Sequence, residues 1–207
     1  MGRPREFDIE KAIEIATNLF WEKGYEGTSL SDLTKAIGIT PPSFYFAFGS
    51  KEGLFRKVIE RYYLGDLVHT EEAFREPTAR AVAERLLYAY ADLQTNPAHA
   101  PGCLAMNSAL PCAEGDPIRS WMAGLREEMR VRLRDRFARA RDSGDLPANA
   151  DPDALARLVL VIGWGMAVEA QSGASRQDLH RTIAAALAAW PTTNGEVGSK
   201  KKRKILL

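Results

Sequence analysis

Cysteine is almost missing from this 207-residue chain: Cys103 and Cys112 are the whole supply. Two thiols make no disulfide framework and suit a reducing compartment, so the expected location is the cytoplasm. Histidine is equally scarce. His69, His99 and His180 lie in separate stretches, no pair stands at metal-ligand spacing, and no metal or cofactor is expected. There is no apolar run of the ~18 residues that a membrane span needs. The opening MGRPREFDIE lacks the apolar centre of a signal peptide. Neither a glycine-rich phosphate loop nor a serine-centred nucleophile elbow occurs, so the sequence carries no enzyme signature.

An excess of positive charge is missing too. Of 28 basic residues, five fall in Lys200-Lys201-Lys202-Arg203-Lys204, and the remaining body carries 23 Lys and Arg against 27 Asp and Glu. Residues 1–60 hold eight basic and nine acidic side chains. If this part of the chain meets nucleic acid, it does so by placement of charge rather than by abundance.

What is present is helical periodicity. Asp8 is positioned to cap a helix whose apolar stripe is Ile9, Ala12, Ile13, Ala16, Leu19 and Phe20, ending at Gly24; Trp21 and Tyr25 read as packing residues. Then comes TSLSDLTKAIGITPPSFYFAFGSK, residues 28–51. Leu30, Leu33, Ala36 and Ile37 share one helix face, and Ser29 with Asp32 forms a capping box. Gly38 ends that helix by supplying the left-handed turn. Phe44 and Phe48, four apart, pack inward from the next helix and leave Ser43, Tyr45, Phe46 and Ala47 on its sides and outer face. A short helix held by its apolar back on a helix-turn scaffold is suited to a DNA major groove.

Over residues 7–57 this stretch resembles the DNA-binding half of the TetR family of transcriptional regulators. The resemblance rests on Gly27-Thr28, on Gly38-Ile39-Thr40, and on Tyr45, Phe48 and Lys51 at the spacing Y-x-x-F-x-x-K. It implies phosphate contacts from Thr28, Thr40, Tyr45 and Lys51. The chain departs from the family pattern at Pro41-Pro42, where many members carry Lys or Arg followed by a small residue. Two prolines offer no donor to a base edge, so readout there is expected to be apolar, for example against a thymine methyl, with Ser43 and Tyr45 making the polar contacts. Because Pro42 disfavours helical backbone at Pro41, the helix is expected to begin at Pro42. Arg3 and Arg5, ahead of the first helix, are read either as a minor-groove arm or as a solvated terminus.

The rest of the chain is a series of helices. Lys51 to about Leu64 carries a broad apolar face (Leu54, Phe55, Val58, Ile59, Tyr62, Tyr63) and would transmit motion to the DNA-binding unit. Residues 96–117, broken by four prolines and two glycines, read as loops around one short helix. Pro117 opens a long helix whose RVRLRDRFARAR segment is read as a solvated, ion-paired face. Asp151-Pro152 opens a nearly all-apolar helix containing LVLVIGWGMAV, and Ser175 with Asp178 boxes the last one. That pair is expected to form a homodimer's four-helix interface through Leu160, Gly163, Ala167, Ile183 and Leu187.

These readings assemble into an all-α chain of about nine helices. Residues 1–50 form a helix-turn-helix DNA-binding domain, 51–191 a helical ligand-binding and dimerisation domain, and 192–207 a disordered basic tail, native or added. With the resemblance, they imply a dimeric repressor on a palindromic operator of double-stranded DNA, expected to be released by an apolar or aromatic small molecule. The expected pocket is lined by Tyr88, His99, Cys103, Met106, Trp121, Met122 and Trp164. Two alternatives stay open: a redox or electrophile sensor acting through Cys103, and a helical binding protein whose helix-turn-helix is non-functional. Selection of binding sites from random DNA tests the apolar readout. Thymine-bearing or indifferent positions are expected opposite Pro41 and Pro42, and a strict guanine preference there would contradict it.

Overall fold

The structure, a computed structural model, describes residues 8–65, 69–109 and 112–193; Arg3, Arg5 and residues 194–207 of the basic tail lie outside them. The described residues are helical, without strands. Helices α1 (Ile9–Gly27), α2 (Leu30–Ile37) and α3 (Pro41–Phe48) are followed by α4 (Lys51–Leu64), the short α5 (His69–Ala73), α6 (Ala79–Gln94), α7 (Leu104–Ala109), α8 (Pro117–Asp142), α9 (Pro152–Gln171) and α10 (Arg176–Ala188).

Start signals in the sequence coincide with the helix ends. Asp8 Oδ1 accepts from the amides of Glu10 and Lys11, and Ser29–Asp32 and Ser175–Asp178 both close reciprocal capping boxes. Each such cap is worth about 0.5–2 kcal/mol because it satisfies amides that the helix leaves without partners. The α3 helix begins one residue earlier than expected, at Pro41, with both prolines in its first turn and Thr40 as N-cap. The first turn needs no amide donor, so neither ring removes a hydrogen bond there.

Two apolar cores divide the chain unequally. The first joins α1 to α4 with α7 and the start of α8 through Phe20, Leu33, Phe44, Phe55, Tyr62, Leu104, Ile118 and Met122. The second joins α6, α8, α9 and α10 through Leu86, Leu87, Phe137, Leu160, Ile183 and Leu187. Three α8 arginines face water in ion pairs, as the sequence suggests, Arg132 with Glu71, Arg134 with Asp135 and Arg141 with Asp142, whereas the Arg130 side chain is only 12% exposed and pairs with Glu127 and with Asp153 of α9. Arg136 instead donates to the carbonyls of Phe74, Glu76 and Pro77, tying down the approach to α6.

Two details of α1 depart from the sequence reading. Ile9 is exposed, because the first turn precedes the packed part of the helix. The helix is also not finished at Gly24: its backbone breaks there as expected, at φ 72° and ψ 172°, but one further turn follows to Gly27. A side chain at Gly24 would stand 3.1 Å from the Asn107 carbonyl oxygen, so α7 packs against the kink.

A second glycine fixes the corner between α3 and α4. A Cβ on Gly53 would meet the Phe48 carbonyl oxygen at 2.2 Å, a distance no backbone tolerates. Gly53→Ala is therefore expected to lower the melting temperature and weaken DNA binding together, although alanine is the better helix former. A variant as stable as the parent would show that the corner yields.

Candidate nucleic-acid interface

The α3 helix is too short to persist in water by itself. It is held because Phe44 and Phe48 lie buried beneath it, their rings 5.3 Å apart, while the Gly49 cap turns the chain away at φ 72°. What remains outside is a compact patch. Thr40, Pro41 and Pro42 are exposed, Ser43 is half-buried, Tyr45 is 53% exposed and Phe46 94%. An aromatic ring so fully in water at the middle of a helix has no role in this chain's own packing. The Thr40 hydroxyl accepts weakly from the Ser43 amide and lies 3.0 Å from the Ser43 hydroxyl. No residue of α3 is charged. The patch can press apolar and hydroxyl groups into a groove, but its phosphate anchoring must come from neighbouring elements.

Two of the phosphate contacts implied by resemblance change character. Thr28 is fully buried. Its hydroxyl donates to the Gly24 carbonyl at 2.7 Å and its amide to Tyr25, so neither group is offered to DNA. The buried hydroxyl repairs the carbonyl left open by the α1 kink. Lys51 is half-buried, and its ammonium donates to the carbonyls of Tyr25 and Thr28 at 3.0 and 3.2 Å while sitting 4.2 Å from the centre of the Tyr25 ring. Two of its three hydrogens thus clasp the start of α4 to the end of α1. Burial, with Asp116 next in effect, pushes the Tyr25 phenol up to about 12 and keeps that ring neutral under the cation.

A second site lies at the other end of α4. Tyr62 and Tyr63 form one wall of a narrow cavity, closed by Tyr90, Leu93 and Gln94 of α6, Cys103 and Met106 near α7, Arg126 and Met129 of α8, and Leu160, Gly163 and Trp164 of α9. Its room for water-sized molecules is about 60 Å³, space for a few waters. An organic ligand enters only if side chains move. Burial holds the Tyr62 phenol well above its usual range and the Tyr63 phenol at about 12, so the walls are uncharged tyrosines. The Cys103 thiol lies 3.4 Å from the Tyr62 hydroxyl.

Of the expected pocket residues, the fold brings together Cys103, Met106 and Trp164. The others go elsewhere. Tyr88 lies on another face of α6, its ring edge-on to His180. His99 stacks on Trp21 at 3.7 Å, outside the cavity. Trp121 packs against Phe55 and beneath the Arg56 guanidinium, and Met122 is fully buried in the first core. Sequence reading missed Tyr62, Tyr63, Gln94 and Arg126. The tyrosines looked like part of α4's core stripe, and nothing in sequence distinguishes an inward Arg126 from the solvated arginines after it.

The expected interface residues are also corrected. Leu160, Gly163, Ala167, Ile183 and Leu187 are all buried within this single chain. Gly163 gives its carbonyl to Gln94 and lies so near Tyr90 that a Cβ would sit 2.8 Å from the ring. The face of α9 left in water is the opposite one: Leu158 at 47% exposure, Val161 at 58%, Gly165 and Val168 at 57%.

The comparisons with known proteins bear on both sites. Residues 12–58 match the family described as bacterial regulatory proteins, tetR family, and residues 79–186 match a tetracyclin repressor-like C-terminal domain. The HTH-type transcriptional repressor ComR of Escherichia coli K12 is 33% identical over 196 residues, covering 92% of each chain. The transcriptional regulator AcuR of Cereibacter sphaeroides is 31% identical over 181 residues, covering 81% of this chain and 80% of its own. Among solved structures, a cysteine mutant of the TetR family transcriptional regulator CifR, complexed with 26 bp double-strand operator DNA, superposes with a TM-score of 0.85 at 36% identity, covering 91% of this chain and all of its own.

Lys51→Met separates the clasp from a phosphate contact. A clasp predicts a stability loss of about 1–3 kcal/mol, from carbonyls that lose a charged donor. A residue that only touches phosphate predicts unchanged stability and a salt slope of operator binding smaller by about one. Thermal melts and salt titrations of the same variant are expected to show the stability loss.

Proposed function

The chain belongs to the TetR family of bacterial regulatory proteins, a transcriptional regulator rather than an enzyme, and from that premise we propose a ligand-released repressor that binds a palindromic operator as a homodimer. One observation carries the reading: the uncharged, protruding α3 patch and the tyrosine-walled cavity are joined by a single helix, α4. Lys51 clasps its first residue to the DNA-binding unit, and Tyr62 and Tyr63 close its last turn over the cavity. At 1.5 Å per residue the two ends lie about 17 Å apart along one rigid rod.

In this proposal residues 1–50 form the DNA-binding domain and 51–191 the regulatory one. Thr40, Pro41, Pro42, Ser43, Tyr45 and Phe46 meet the groove, and Arg3 and Arg5 reach for the adjoining backbone. The operator complex of the CifR relative and the repressor named among the relatives support DNA as partner and repression as outcome. The protein works in the cytoplasm; no helix of the described residues is long and apolar enough to cross a membrane.

The mechanism is a shift of populations. Two α3 helices about 34–36 Å apart fit successive major grooves. A ligand that enlarges the cavity displaces Tyr62 and Tyr63, tilts α4 and spoils that spacing. It acts only through its preference for the displaced state, and a few kcal/mol of preference changes occupancy strongly. The half-buried Cys103 in the same wall supports the electrophile-sensing alternative. DNA release by N-ethylmaleimide that is lost in Cys103→Ser would move it to first place.

The dimer face in this proposal is the exposed α9 stripe with the neighbouring surface of α10. Leu158, Val161, Gly165 and Val168 recur at the 3-4-3 spacing of a helix seam, and apolar side chains so aligned have no use in a lone subunit. Val161→Glu is expected to give a folded monomer in analytical ultracentrifugation. Its operator affinity should be lower by roughly a hundredfold or more, because the two half-sites no longer bind as one. A variant that stays dimeric with full affinity would move the interface elsewhere.

A further inference from the structure

The cavity is more specific than its apolar walls suggest. Arg126 lines it, and its Nη1 is inaccessible to water and has no hydrogen-bond partner among the described residues. It differs in this from most arginines that follow it on α8, which are paired with carboxylates or carbonyls. Among the described residues no carboxylate pairs with Arg126, and burial pushes its guanidinium below the usual range. A guanidinium nitrogen shut off from water with no counter-charge beside it is costly, and an anion bound there would relieve that cost.

Gln94 adds a second polar point. It is 3% exposed, its Nε2 is committed to the Gly163 carbonyl at 2.9 Å, and its Oε1 in the same cavity wall accepts from nothing among the described residues. Because Nε2 is needed where it is, the amide cannot simply turn over, and Oε1 asks for a donor from whatever fills the cavity. Apart from the Cys103 thiol, the remaining lining is mainly aromatic and aliphatic, with three tyrosines, Trp164 and two methionines.

We propose that the effector is a small organic carboxylate with an aromatic or aliphatic body, its charge neutralised by Arg126 and a hydroxyl or N–H on its body donated to Gln94. This deepens the ligand-release reading and rests on it for its regulatory meaning. The guanidinium fork suits a carboxylate's two oxygens, and the apolar lining strengthens the pair, an advantage that an uncharged ligand lacks. Because Tyr63 belongs to α4 and lines the same cavity as Arg126, an anion drawn to Arg126 arrives at the helix that carries the signal.

The test uses the full chain and a panel of benzoate, the three hydroxybenzoates, hexanoate, benzamide and phenol. Thermal protection without DNA reports cavity occupancy, and gel shifts on the operator report release. Carboxylates are expected to bind roughly ten- to a hundred-fold more tightly than benzamide or phenol, the factor a charge-assisted hydrogen bond in a desolvated site supplies. A hydroxybenzoate isomer should lead the panel. Arg126→Gln should erase the preference without lowering the melting temperature of the free protein, since it removes a partly buried charge that has no counter-charge among the described residues, and Arg126→Lys should keep part of the preference. Equal binding of benzoate and benzamide, or no protection by any carboxylate, overturns the proposal. Carboxylate protection without DNA release leaves the anion site standing and overturns the ligand-release reading instead.

Discussion

Burial of Phe44 and Phe48 is the constraint on which the DNA-facing half depends. Eight residues make two turns of helix, which in water would melt, and no charge or salt bridge within α3 supports it. Its persistence is tertiary. Two aromatic rings are driven into a core that α1, α2 and α4 complete, and fully burying each is worth about 1.5–3 kcal/mol. The same burial decides what faces outward, because a helix that commits residues 44 and 48 to the core must present 42, 45 and 46 to water. The outward side of Phe46 is thus a by-product of the inward side of Phe44.

The α4 helix extends that constraint through the molecule. It lies in the first core by Leu54, Phe55, Val58, Ile59 and Tyr62, and its start is fastened by Lys51 to the carbonyls where α1 ends. Its far end supplies tyrosines to a cavity whose other walls come from α6, α8 and α9. Arg56 over Trp121 adds a contact to α8 midway. A helix packed at both ends moves as a body or not at all, because close-packed interiors switch between arrangements rather than deform smoothly. In the proposed mechanism, this is how a small change in the filling of the cavity reaches α3.

Much of this was readable from the residues. The capping boxes at Ser29 and Ser175, the Gly38 turn and the inward pair Phe44–Phe48 follow from local chemistry, and each stands in the structure as expected. The failures share a cause. Thr28 reads as a polar residue near a helix start, and only the kink at Gly24 creates the carbonyl that its hydroxyl must serve. Met122 and Trp164 look alike as large apolar residues, and only the arrangement of α6 to α9 puts one in a core and the other at a cavity. On α9, apolar nearly all round, sequence offered no means of telling the inner face from the outer.

The chain by itself determined where helices start and stop, which of them are short, and that the DNA-facing helix would carry no charge, because caps, glycines and prolines act within a few residues of their own position. Only the tertiary structure decided the rest: that Lys51 turns inward, that α9 exposes Val161 rather than Leu160, and that Arg126 has no carboxylate partner among the described residues. Those outcomes depend on which surfaces of distant helices meet, and on what the meeting leaves without a partner.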